Sequence, residues 1–134
     1  MGYGRPEVRE GNEIWARTVR LALACAQKGI PFAIEHPLTS YAWKHLDTAA
    51  LLALPNVQIR KFDMCQFAEG TEEVAQKPLK IITTMPWLVK YVVCQGGHQH
   101  AKHLCGRKAQ DSSTYTKPFA TYVMSAYGGW LRSQ

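Results

Sequence analysis

Apolar residues recur along the first part of the chain with the period of a helix. In GNEIWARTVRLALACAQKG (11–29), Ile14, Trp15, Thr18, Val19, Ala22, Cys25 and Ala26 share one face. Asn12 is the N-cap this pattern predicts, and Gly29 the residue that ends the helix. IPFAIEHP (30–37) then reads as a short apolar strand stopped at Pro37. SYAWKHLDTAALLAL (40–54) predicts one or two short helices, with Asp47 as a cap. VQIRKFDMC (57–65) is a second strand, supported by the alternation of Val57 and Ile59, and LKIITT (79–84) a third, with the polar connection FAEGTEEVAQKP before it. PWLVKYVV (86–93) opens on a proline suited to a first helical turn. After a polar loop at 108–117, PFATYVMSAYGGWLRSQ (118–134) predicts a final helix broken at Gly128 and Gly129.

Helix, strand, helix, strand, strand, helix is the order of an α/β fold. About three strands make a small sheet, with the look of part of a larger one. The length of 134 residues predicts one domain over 1–134, large enough to bury a core without disulfides. No internal repeat or low-complexity tract interrupts it.

Composition narrows the class. Hydrophobic residues at 46% and charged residues at 19% are a globular balance. No apolar run reaches the roughly 18 residues of a membrane span, and LALACA sits in a helix carrying Arg17, Arg20 and Lys28. Glu7, Glu10 and Glu13 alternate with Arg5 and Arg9, unlike a targeting segment. Without a secretion signal, Cys25, Cys65, Cys94 and Cys105 are expected as thiols or metal ligands in an intracellular compartment, whether nucleus, cytoplasm or organelle. The net charge of +6 favours an anionic partner, RNA or DNA, or equally a solubilising surface. No basic run exceeds two residues, so any contact is a patch made by folding.

CQGGHQH (94–100) carries the densest chemistry. Zinc takes about four Cys and His ligands in a tetrahedron. Cys94, His98 and His100 form C-x3-H-x-H, and the glycines let the chain bend around an ion. A fourth ligand must come from elsewhere, and His103 and Cys105 are reserves. The spacing is not that of a zinc finger or ribbon. Two other readings stand beside a zinc site: a surface turn with buried thiols, and a Cys/His nucleophile pair. Cys25, on the apolar helix face, belongs to the core. Trp15, Trp43, Trp87 and Trp130 are spaced as packing anchors, and Tyr115, Tyr122 and Tyr127 either pack or stack bases near Lys117 and Arg132.

Glu35 falls where the first strand ends, a position at which open α/β sheets bind ligands, or else it caps or pairs locally. Gly11, Asn12, Phe32, Ile34, Glu35 and Pro37, then Cys65, Gln66 and Phe67, then Lys77, Pro78, Ile81 and Thr83, occur in an ordered series. From about residue 10 to 105, this series resembles the C-terminal half of cytosine-5 DNA methyltransferase-like proteins, the divergent forms of phages and mobile elements. The resemblance implies a partial Rossmann-like sheet, and it implies Cys65, in FDMC, as the fourth zinc ligand, since those proteins place a cysteine there as well as a Cys/His cluster downstream. It also implies that Glu35 is the glutamate that contacts the ring nitrogen and amino group of a flipped cytosine. His36 stands where that family has asparagine. The cofactor-binding glycine loop after a first strand is missing, and no cysteine follows a proline. S-adenosylmethionine is therefore not expected to be used by this chain alone.

Three functions follow as expectations. The first is a methyltransferase-derived structural or interaction subunit, zinc-stabilised and non-catalytic, in a larger assembly containing nucleic acid. The second is one half of a split cytosine-5 DNA methyltransferase, completed by a partner chain. The third is a small metal-dependent nuclease or hydrolase. Under the first two, partner chains cover a strand edge and an apolar face.

Overall fold

The computed structural model describes residues 5–69, 75–101 and 115–134. Helix α1 (Pro6–Gln27) is followed by β1 (Ala33–Pro37), a 3-10 turn at Tyr41–Lys44, α2 (Thr48–Leu52) and β2 (Gln58–Asp63). A second 3-10 turn (Met64–Phe67), β3 (Pro78–Thr83) and α3 (Lys117–Arg132) complete the described elements. The α/β class and the three strands are as the sequence predicts.

The strands form one sheet in the order β1-β3-β2. The Thr84 amide donates to Phe32 O (3.0 Å), so the end of β3 meets the start of β1. The Met64 amide donates to Lys77 O (3.3 Å), so the start of β3 meets the end of β2. Both pairings are antiparallel, a geometry that needs no crossover helix between its strands. The chain divides into two compact units, 1–59 with 81–85, and 60–80 with 86–134.

In the first unit, Trp15, Val19 and Ala22 of α1 bury against Phe32 and Ile34 of β1, Leu51 of α2 and Ile82 of β3. A fully buried aliphatic side chain of this kind contributes about 1.5–3 kcal/mol. The Trp15 indole donates to Thr48 Oγ1 (2.9 Å), and that hydroxyl donates in turn to Ala42 O (2.9 Å). Cys25 packs, half-buried, against the edge of this core. Gly29, at φ +68°, ends α1 where expected. Its amide reaches Ala26 O and the Ile30 amide reaches Cys25 O, the paired bonds of a Schellman ending.

Four expectations are corrected in these elements, and a fifth in the last helix. Helix α1 begins at Pro6, not at Asn12: proline at the first position loses only a donor that has no helical partner, and Glu7 suits the positive end of the helix dipole. Ile14, placed on the apolar face of the helix, is exposed. Asp47 precedes α2 in a helical conformation and makes no side-chain cap bond. PWLVKYVV is not a helix. Val92 instead pairs with Phe62 as a parallel bridge, with its amide on Lys61 O (3.2 Å) and its carbonyl accepting the Asp63 amide (2.8 Å). Val89, Val92 and Val93 are β-branched, which favours this extended pairing.

The second unit is built on aromatic rings. Phe62 and Phe67 pack with Phe119 and Tyr122 at centroid distances of 5.1–6.2 Å. Thr116 caps α3 by accepting the Phe119 amide (3.3 Å), and its hydroxyl donates to Phe67 O (2.6 Å). The helix runs through Gly128 and Gly129 without the expected break, because Tyr127 and Trp130 both pack on Trp87 and anchor the turn containing the glycines.

Candidate metal centre

β2 delivers Phe62 and Asp63 to the interior, and the tight turn after it points Cys65 inward as a buried thiol. The chain returns at Val92, bridged to β2, which fixes the entry of Cys94 into the neighbourhood of Cys65. Beyond Cys94 the backbone must turn back on itself within a few residues. Gly96 and Gly97 do this at φ +81° and +84°, in the left-handed region that costs other residues most.

The result is a four-residue cluster. The ligand atoms of Cys65, Cys94, His98 and His100 all lie within 4.8 Å of one another, close enough to hold a metal ion. Cys94 Sγ is 3.8 Å from His98 Nε2 and 3.6 Å from His100 Nε2. The two imidazoles meet edge to face, with centroids 4.6 Å apart and planes at 88°. This arrangement lets both Nε2 atoms converge without the rings overlapping.

Each sulfur also has an N–H donor. The Gly96 amide reaches Cys94 Sγ at 3.3 Å, and the Gln66 side-chain amide reaches Cys65 Sγ at 3.6 Å. Such donors favour the thiolate, the form that binds metal. Burial acts the other way on Cys65 and pushes its thiol above the ordinary range. The Gln66 bond opposes that rise, and the neighbouring Cys94 and Asp63 add to it. A dication reverses this balance by stabilising the charged sulfur directly.

All four residues named from the sequence are thus brought together. The reserves His103 and Cys105 lie outside the described residues. Glu35 belongs to the other compact unit, half-buried on β1, where the following His36 ring packs 5.6 Å from Trp15 and 6.1 Å from Trp43. Tyr122 is held within the aromatic cluster, and Tyr127 against Trp87. Tyr115 packs on Phe119 at 5.2 Å while remaining exposed.

Asp63 is the residue that sequence reasoning passes over. It is 1% exposed, and its Oδ2 accepts the Cys94 backbone N–H at 2.7 Å. The only sequence signal is an acid directly after Phe62 at the end of a strand, two residues before a ligand cysteine. Among the described residues, no helix is long and apolar enough to cross a membrane. No known protein family, characterised protein or solved structure matches this chain.

Proposed function

We propose that this chain is a zinc-stabilised structural or interaction domain. In this reading it descends from a cytosine-5 methyltransferase-like protein and serves within a larger, nucleic-acid-containing intracellular assembly. The convergence of Cys65, Cys94, His98 and His100 within 4.8 Å carries the reading. With Zn–S about 2.3 Å and Zn–N about 2.0–2.1 Å, a tetrahedral site has S···N edges of about 3.6 Å. The Cys94 sulfur stands 3.6 and 3.8 Å from the two imidazole nitrogens.

Four protein ligands fill the coordination of zinc, the composition of a structural site, whereas a catalytic zinc keeps one position for water. Bound there, the ion supplies a cross-link between the end of β2 and the CQGGHQH loop. Cys65 and Cys94 provide the thiolates and the histidines neutral imidazoles, so the charges of ligands and dication cancel. This favours the structural reading over a hydrolase.

The remaining parts have weaker supports. The excess of sixteen Lys and Arg over ten Asp and Glu suits an anionic partner. Ile14 and Leu21, one heptad apart on α1, stand 55% and 68% exposed, which suits a protein partner. The methyltransferase ancestry rests on the ordered motifs. The sheet, with β3 central and antiparallel to both neighbours, adds no support to it. Under this reading Glu35 is a relic of a cytosine pocket, and S-adenosylmethionine has no place on this chain alone.

Native mass spectrometry of the protein from its own source tests the proposal. One zinc together with partner chains or nucleic acid is the expected result. A metal-free monomer overturns it, and a single partner carrying a cofactor loop replaces it with a split enzyme.

A further inference from the structure

Asp63 occupies the last position of β2 and is tied twice to the same returning segment. Its backbone N–H donates to Val92 O at 2.8 Å, and its Oδ2 accepts the Cys94 N–H at 2.7 Å. The turn after Asp63 carries Cys65, so this one residue sets the spacing between the two thiols that the metal reading requires. Its other oxygen, Oδ1, is buried and has no hydrogen-bond partner among the described residues. A buried carboxylate oxygen is seldom left bare, because nothing then offsets its lost hydration.

The cluster beside it contains the donors that could fill this need. Both His98 and His100 turn Nε2 toward Cys94 Sγ, leaving Nδ1 on the far side of each ring. A histidine that ligates through Nε2 carries its proton on Nδ1, and that proton needs an acceptor, commonly a carboxylate. Two thiolates and two neutral imidazoles around a dication sum to zero charge. The loaded centre therefore does not repel a nearby carboxylate, whereas two unmetallated thiolates would.

The geometry points to Asp63 as the positioning residue of the metal centre: Oδ2 fixes Cys94 through its backbone, and Oδ1 accepts the Nδ1–H of a ligand imidazole, directly or through one water, once the ion is bound. This rests on the metal-centre reading above and adds to it a residue that is not a ligand. It also explains why an acid is placed in the interior at the end of a strand whose other buried residue is apolar.

The test uses the full chain and Asp63→Asn, with Zn2+ and Co2+ as probes. Asparagine keeps the shape and can still accept from the Cys94 amide, but its other arm is a donor that opposes an imidazole N–H. Zinc affinity, measured by competition with a chelator, is expected to fall about 10–100-fold. The Co2+ absorption bands should keep their tetrahedral pattern, since all four ligands remain. In zinc-loaded wild type, nitrogen-15 NMR should show a slowly exchanging imidazole Nδ1–H, lost or shifted in Asp63→Asn. Affinity within about twofold of wild type would overturn the inference while leaving the metal centre standing. Should the variant fail to fold, the wild-type spectrum decides alone: no protected Nδ1–H refutes the role. If wild type takes up neither ion, the metal reading itself falls, and this inference falls with it.

Discussion

The two glycines of the CQGGHQH loop give a prediction whose sign is set by backbone geometry. Gly96 and Gly97 lie at φ +81° and +84°, and a methyl group added at either meets no neighbouring atom of the described residues within 4 Å. Steric crowding therefore contributes nothing, and only the conformational cost remains. An L-residue in the left-handed region costs roughly 1–2 kcal/mol. Gly96→Ala should lower the unfolding free energy of the metal-loaded protein by that amount, and the double variant by about 2–4 kcal/mol if the two add. Gly129 receives the same added methyl in a different setting. It lies within α3 and is equally open, with no atom of the described residues outside its own helical turn within 4 Å of the new methyl. In a helix interior alanine is favoured over glycine by about 1 kcal/mol, so Gly129→Ala should stabilise. Urea unfolding of the three variants and wild type, each with zinc in excess, measures both signs in one experiment. A neutral or stabilising Gly96→Ala would refute the loop conformation. A loss well beyond about 4 kcal/mol would mean that the loop is packed against something the geometry does not include.

Two further predictions concern protons and a buried hydrogen-bond chain. Because burial raises the Cys65 thiol above its ordinary range, the metal-free protein holds that proton at neutral pH and must release it on binding metal. Zinc affinity should therefore weaken at least about tenfold per unit fall in pH, read by calorimetry in buffers of different ionisation enthalpy. The metal-free fold has the opposite dependence: the contribution of this thiol is full below the pKa of an unfolded cysteine and is lost as pH rises through the folded one. A pH-independent affinity would contradict this. In the first unit, Thr48→Val leaves the Trp15 indole N–H and the Ala42 carbonyl without their 2.9 Å partner, at a cost of about 1–3 kcal/mol. Thr48→Ser should restore most of it in urea unfolding, and equal losses for both variants would refute the hydrogen-bond explanation.

How far the sequence could be read depended on whether local pattern or distant pairing decided each element. The Trp15, Val19 and Ala22 stripe needs only the helical period, and the helix built on it buries those residues. The start of α1 was hidden because its first turns are exposed and carry no apolar stripe, leaving proline's tolerance at the first position as the relevant signal. Pro86 is an equally good helix opener, yet the segment after it is claimed by the free edge of β2 at Val92, a partner about thirty residues away in sequence. The ligand set was legible because Cys-x3-His-x-His is a local motif. Choosing Cys65 was possible from the ordered motifs rather than from spacing. Asp63 was not legible, since its importance arises only when Cys94 is folded back onto β2.

The central claim is a four-ligand zinc site, and the most direct measurement is zinc K-edge X-ray absorption on protein loaded with one equivalent of the ion. Two sulfurs at about 2.3 Å and two nitrogens at about 2.0–2.1 Å are predicted, with one nitrogen lost in His100→Ala and one sulfur lost in Cys65→Ala. A coordination shell made only of light atoms, or one unchanged by either substitution, would contradict the assignment.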